Sequence, residues 1–346
     1  MHADRTKKLN DAVTRNASSK RLKKAAFFND GTPYFNGNVL NYVYSVGRQE
    51  RIAAITELYP EVITSQNFEE HVDQLQELEV VFSTWGMPML EEEQLRRLPN
   101  LKCLFYAAGA SKHFRETYLE LGVRVITATR VNAIPVAEFC LGQILLAMTG
   151  YFRNTREAKD PLSASPLNGF AGPGNFNETV ALIGEGSVSE KLQELLRPFD
   201  LNVVVLSSFV KPGAPELADV FEKAFVISNH LADVDENTGI YHVDLFRRMR
   251  EGAVFINTGR GRQVNEVDLI EALQERRDLT ALLDVAVHEP PLEGSELYAL
   301  PNVLLSTHIA GAKNNEVGRM ADCMIDDFLR WESGQDLLYE VTPEML

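Results

Sequence analysis

Thr179-Val180-Ala181-Leu182-Ile183-Gly184-Glu185-Gly186-Ser187-Val188-Ser189 is an apolar run that ends on two spaced glycines and leads into a segment of helical periodicity. The run reads as a buried parallel strand, and Val188, Leu192, Leu195 and Phe199 set apolar residues on one face of the helix that follows. A tight strand-to-helix turn of this kind cradles a pyrophosphate: Gly184 and Gly186 let the backbone come close to the phosphates, and the helix N–H groups point at them. The turn departs from the three-glycine pattern in two ways. Ser189 stands at the third position, where a side chain crowds the helix against the strand, and Glu185 sets an anion beside an anion-binding turn.

Outward from this turn, strands are expected near Asn202–Leu206, Phe225–Ser228, Ala253–Asn257, Leu279–Val285 and Val303–Leu305, separated by helical segments such as the one carrying Val267, Ile270 and Leu273. Asn265, with Asp268 three residues later, supplies a helix start, and Gly252 a helix stop. Upstream lies a second alternating system: strands at Lys24–Phe28, Glu61–Thr64, Val80–Ser83 and Leu101–Tyr106, with helical pieces at Val39–Leu58, Phe68–Leu78 and Glu91–Leu98. Ala133–Met148 reads as a buried helix joining the two systems. Asp160–Asn177, rich in Pro, Gly, Ser and Asn, reads as a long surface connection.

Three polar residues follow three of the strands: Arg260 in Asn257-Thr258-Gly259-Arg260-Gly261, Glu289 after Leu283-Asp284-Val285-Ala286-Val287-His288, and His308 in Ser306-Thr307-His308-Ile309-Ala310-Gly311. A guanidinium, a carboxylate and an imidazole at one sheet edge can hold an anion and move a proton. A carboxylate against an imidazole also fixes its tautomer and favours its protonated form. Taken singly, an Arg after a strand is usually a surface ion-pair partner and a His a satisfied structural one. His288, next to Glu289, is the nearest rival to His308.

From about Leu101 to about Arg330, the order and spacing of these pieces resemble the D-isomer-specific 2-hydroxyacid dehydrogenases, NAD(P)-dependent enzymes. The resemblance implies an α/β protein with a doubly wound parallel-sheet Rossmann domain at 132–311 and a smaller flavodoxin-like α/β substrate domain at 24–131 and 312–346. The latter is discontinuous because the helix at about Asn314–Glu332 crosses back, and residues 1–23 form an N-terminal arm. The two domains would face each other across a cleft. By resemblance, His308 exchanges a proton with the substrate hydroxyl, Glu289 holds His308, and Arg260 grips the substrate carboxylate and carbonyl oxygen. Gly184, Gly186, Ser187, Val188, Ser207, Thr258, Asp284 and Gly311 fall on cofactor-binding positions, with Asp284 where the family holds the nicotinamide carboxamide. Ser187 replaces a frequent Arg. Ser207-Ser208-Phe209 replaces the Asp of NAD-preferring members, and Lys211 could attract a 2′-phosphate, so the coenzyme is NAD or NADP. His230–Asn237 matches the family's Pro- and Thr-containing loop only in outline. Trp85, Gly86 and Gly109 fall in loops that would complete the substrate clamp, Trp85 serving equally well as a core residue. The Ala133–Met148 helix and the connection after it resemble the family's dimerisation arm, which implies a homodimer.

Composition bounds the remaining partners. Across 346 residues, 34 Lys and Arg stand against 49 Asp and Glu, a net charge of −15, which repels a nucleic-acid backbone. Cys103, Cys140 and Cys323 lack metal-ligand spacing and lie in apolar surroundings, so no metal site is expected and a reducing cytoplasm fits. Ala133–Met148 carries Glu138 and Gln143 and reads as too short and too polar to cross a membrane, and the first two dozen residues lack the apolar centre of a signal peptide. The resemblance implies a small 2-keto or 2-hydroxy acid as substrate. The alternative is a non-catalytic relative acting as a sensor or interaction module, for which the altered Gly184–Ser189 turn speaks.

Overall fold

The computed structural model describes residues 21–32, 38–109, 112–207 and 213–342. Most of the N-terminal arm expected at 1–23 therefore lies outside the described residues, and Lys23 already belongs to the first strand. The chain separates into two compact units, one formed by residues up to Thr129 together with those from Val317, the other by Arg130–Glu316.

The first unit is built on five parallel strands: β1 (Lys23–Phe27), β2 (Thr56–Leu58), β3 (Val80–Ser83), β4 (Cys103–Tyr106) and β5 (Arg124–Thr127), in the order β2-β1-β3-β4-β5. This is the flavodoxin-like order. The expected strand at Glu61–Thr64 is reduced to a single bridge between Phe28 and Ile63, and the edge strand lies earlier, at Thr56–Leu58. Pro60 explains the shift: without an N–H it breaks the ladder between Tyr59, which bonds Ala25, and Ile63, which bonds Phe27. The expected helix at Val39–Leu58 is likewise two helices, Val39–Val43 and Val46–Ile55. The helix Asn315–Glu332 returns to this unit and buries Met320, Met324 and Phe328. The Phe328 ring packs edge-on to Phe82 and Phe105, at 5.5 and 5.8 Å between centroids. Asp322 of the same helix takes both Nε and Nη2 of Arg48, at 3.0 and 2.8 Å. Buried Asp327 accepts the backbone N–H groups of Leu338 and Tyr339, and desolvation raises its carboxyl above the usual range against these bonds.

The second unit carries six parallel strands: β6 (Phe176–Ile183), β7 (Asp200–Leu206), β8 (Val226–Asn229), β9 (Val254–Asn257), β10 (Thr280–Leu283) and β11 (Val303–Leu305), in the order β11-β10-β9-β8-β6-β7. The chain leaves β6 toward β7 and then adds every later strand on the other side. The switch point therefore lies between β6 and β8, the place where such sheets bind ligands beyond their strand C-termini. Asn265 caps the Glu266–Glu275 helix through its side chain. On that helix Leu269, Ala272 and Leu273 are buried, whereas Val267, expected on the inner face, is 73% exposed. Gly252 is no helix stop: the Val243–Arg248 helix ends earlier, and Gly252 turns with φ +72° where a Cβ would strike Phe170.

The Thr129–Met148 helix has 20 residues, more than expected, and by length and composition it could cross a bilayer. Its buried residues Val136, Ala137, Cys140, Ile144, Ala147 and Met148 instead belong to the core of the second unit.

Candidate active site

Gly184 ends β6 with φ +113°, and a Cβ there would lie 2.4 Å from the carbonyl oxygen of His230. Only glycine fits this crossing of the β6 and β8 ends. Gly186 is different: its φ of −76° suits any residue and a Cβ would meet nothing within 4 Å. It opens the Ser187–Leu196 helix, whose first-turn N–H groups, from Ser187 and Val188 onward, face outward for an anion. Ser189, at the third-glycine position, is fully buried, and its Oγ has no partner among the described residues. Glu185 is exposed in the turn. The cradle thus fits a dinucleotide in its backbone and departs from the pattern in two side chains. His230, which closes the turn through its N–H to Ile183 O, has its imidazole pushed down to about 4 by burial.

His308 and Glu289 are brought together: Nδ1 and Oε2 lie 2.6 Å apart, with both side chains partly open to solvent. His308 adopts φ +53°, a left-handed conformation that costs a non-glycine residue free energy and that the surrounding loop must impose. Buried Asp284 does this. It accepts Ser306 Oγ (2.6 Å) and Ile309 N (2.9 Å) on one oxygen and Ala310 N (2.9 Å) on the other, and its carbonyl takes His308 N (3.0 Å). The carboxylate expected at the nicotinamide is therefore already committed to the loop that carries His308. His288 is exposed, and Glu289, not His288, is the residue paired with His308.

Arg260, expected to grip a substrate carboxylate, is held by the protein at one edge. Its Nε donates to Asp233 Oδ2 (3.1 Å) and its Nη1 to Gly259 O (2.8 Å). Asp233 also receives Arg262 Nε on Oδ1 at 2.7 Å. Burial works against the Asp233 carboxylate, yet the bonds and charges of Arg262 and Arg260 hold it below the usual range. Beneath this surface cluster lies a buried amide network. Asn229 Nδ2 donates to Asn257 Oδ1 (2.9 Å) and Gln263 Oε1 (2.7 Å), and Tyr241 Oη donates to Asn229 Oδ1 (2.8 Å). Gln263 Oε1 accepts Arg260 N, and Gln263 Nε2 donates to the carbonyls of Leu231 and Ala232. Gly261 is fixed by its neighbours as well, since a Cβ there would lie 1.9 Å from the Ala286 backbone.

The remaining expected residues divide by unit. In the second, Thr258 Oγ1 lies 3.4 Å from Cys140 Sγ, Gly311 approaches Asn132, and Ser207 is exposed just after β7. Ser208, Phe209 and Lys211 lie outside the described residues. In the first unit, Trp85 packs partly buried against the core. Gly86 turns with φ +82° against Gly31, and Gly109 O accepts Thr129 Oγ1 at 2.8 Å. Asn229, Tyr241, Gln263 and Ser306 were not singled out by sequence reasoning, and Asp233 carried no role. The one signal was a carboxylate within the loop whose prolines are missing.

Residues 145–310 match the family model described as D-isomer specific 2-hydroxyacid dehydrogenase, NAD binding domain. YoaD, a 2-hydroxyacid dehydrogenase-type protein of Bacillus subtilis (strain 168), is 32% identical over 205 residues, which cover 55% of this chain and 58% of that relative. Glycerate dehydrogenase of Methylorubrum extorquens is 25% identical over 289 residues, covering 80% of this chain and 90% of its own. The fold is shared with the NAD-complexed D-isomer specific 2-hydroxyacid dehydrogenase of Lactobacillus delbrueckii ssp. bulgaricus, at a TM-score of 0.68 and 19% identity over 92% of this chain and all of that one. Residues 145–310, which carry the phosphate turn, the six-stranded parallel sheet and the His308–Glu289 pair, thus match the NAD-binding domain of the D-isomer specific 2-hydroxyacid dehydrogenases.

Proposed function

We propose that the protein interconverts a 2-keto acid and the D-2-hydroxy acid with NAD(H) or NADP(H). The observation that carries this is the 2.6 Å contact of His308 with Glu289 on a loop pinned at the carboxyl edge of the sheet. Gly184, Gly186 and the start of the Ser187–Leu196 helix would hold the pyrophosphate, with Ser187, Val188, Ser207, Thr258 and Gly311 as further contacts. When bound, the nicotinamide supplies or accepts the hydride at C2. In reduction His308 gives its proton to the keto oxygen. Glu289 holds the opposite ring nitrogen and offsets the imidazolium charge. Arg260 neutralises the substrate carboxylate and polarises the carbonyl. Asp284 orients the loop and keeps lone-pair capacity for the carboxamide. We also assign substrate contacts to Trp85, Gly86 and Gly109.

Ser207 offers a hydroxyl where a carboxylate would repel a 2′-phosphate, so this position excludes neither NAD nor NADP. The partly exposed Leu146, Tyr151, Leu162, Leu167 and Phe176, which fall along the Thr129–Met148 helix and the connection after it, support a homodimer. The three free thiols fit a reducing compartment such as the cytoplasm. The relatives named above are dehydrogenases, and nothing among them favours a non-catalytic role.

The test follows oxidation of NADH and NADPH with glyoxylate, hydroxypyruvate and oxaloacetate. His308→Ala is expected to lower kcat by about 10²–10⁴ with NADH affinity unchanged, and Glu289→Gln by a smaller factor. A His308→Ala variant as fast as the unmodified protein would sink the assignment. Monomeric light scattering at micromolar concentration would sink the dimer.

A further inference from the structure

We propose that Asp233 is a positioning residue for Arg260, and that it acts by holding the Nε edge of the guanidinium so that the Nη1/Nη2 end is the one presented to substrate. The inference rests on the reading of Arg260 as the carboxylate-binding group. A guanidinium carries five N–H donors in a rigid fork. One, on Nε, is spent on Asp233 Oδ2 at 3.1 Å, and one, on Nη1, on Gly259 O at 2.8 Å. Both Nη2 hydrogens and one on Nη1 have no partner among the described residues. Those three match a carboxylate taken end-on plus the neighbouring keto oxygen.

Arg260 left to itself would rotate about its long stem, and its five donors would offer two competing carboxylate-binding edges. Asp233 removes one of them. Asp233 is itself kept from swinging by Arg262, which donates through Nε to Oδ1 and is anchored by Nη1 to Asp235 at 2.7 Å. The backbones are joined too: Gln263 accepts Arg260 N (3.1 Å) while donating to the carbonyls of Leu231 (3.2 Å) and Ala232 (2.8 Å), directly before Asp233. Side chain and main chain of the two loops are therefore tied at both levels, and the geometry of the guanidinium is set before substrate arrives. A carboxylate so close to an anion-binding Arg costs some attraction for the substrate. Arg262, on the same carboxylate, offsets that charge.

The partly exposed Asp233–Arg260 pair contributes little to folding, so substitution at Asp233 reads position and not stability. The experiment uses the NADH complex with oxamate, a 2-keto-acid mimic, for binding, and whichever of glyoxylate, hydroxypyruvate and oxaloacetate is reduced fastest for turnover. Asp233→Ala is expected to raise the oxamate Kd and the KM by about tenfold with NADH affinity unchanged. Asp233→Asn, whose amide oxygen still accepts from Nε, recovers most of that loss. In an Arg260→Lys background, Asp233→Ala adds nothing further, because the fork it positions is gone. An unchanged or lower oxamate Kd in Asp233→Ala overturns the proposal, as does an undiminished effect in the Arg260→Lys background. Arg260→Lys binding oxamate as well as the unmodified protein, or an unmodified protein that reduces none of the three acids, overturns the underlying reading of the site and the proposal with it.

Discussion

Alanine at Gly184 and at Gly186 should separate the two tasks of the phosphate turn. At Gly184 the backbone sits at φ +113°, where an L side chain costs about 1–3 kcal/mol, and the added Cβ would meet His230 O at 2.4 Å and Leu231 N at 2.9 Å. Those atoms are main chain at the β8 end and cannot rotate aside, so overpacking adds roughly another 1–3 kcal/mol. Gly184→Ala should therefore lose about 2–6 kcal/mol, a fall in Tm of roughly 4–24 °C for a domain of this size. Gly186 has ordinary dihedrals and open space, so Gly186→Ala should leave stability within about 0.5 kcal/mol. That space is where the pyrophosphate would approach, and NADH affinity should fall about tenfold as close backbone bonds are lost. Urea unfolding and nicotinamide fluorescence titration measure the two quantities on the same samples. Equal stability losses in the two variants, or a Gly186→Ala protein that binds NADH normally, would refute the reasoning.

Three further outcomes can be checked by the same methods. Ser189→Ala removes a buried hydroxyl that has no partner among the described residues and should stabilise the protein by about 1 kcal/mol, read from the urea midpoint. Glu185→Leu should lower the Kd for NADH about threefold by removing an anion from the turn, and an unchanged Kd would show that Glu185 faces away from the phosphates. His230 is held neutral with its pKa depressed from 6.5 to about 4, so the unfolded chain binds the extra proton first. The stability this contributes is complete above pH 6.5 and drains as pH falls toward 4, by about 2 kcal/mol at pH 5. His230→Gln should remove that part of the acid sensitivity, seen as a smaller difference in unfolding free energy between pH 7.5 and pH 5.

Strand ends were readable because buried parallel strands are continuous apolar runs, and Gly184, Arg260, Glu289 and His308 all follow such runs directly. β5, Arg124–Thr127, was not foreseen: it is short, begins with a charged residue, and gains its place by pairing with β4. The His308–Glu289 contact was expected from the family resemblance, whereas the capture of Arg260 by Asp233 was not. That capture depends on a loop from β8 and a loop from β9 meeting in space, which no local pattern encodes. The amide network was hidden for the same reason. Asn229, Asn257 and Gln263 look like ordinary polar residues along the chain, and their burial becomes visible only once three segments are folded together.

The helix Asn315–Glu332 fixes the order in which the molecule can be finished on the ribosome. Arg130–Glu316 is a contiguous stretch, so that unit has every strand it needs while residues 317–332 are still in the exit tunnel. The unit begun first must wait, with Phe82 and Phe105 lacking the Phe328 ring that closes their core and Arg48 lacking Asp322. The amino-terminal half is therefore the later to mature, against the usual vectorial sequence, and it is the part most in need of a holding chaperone during synthesis.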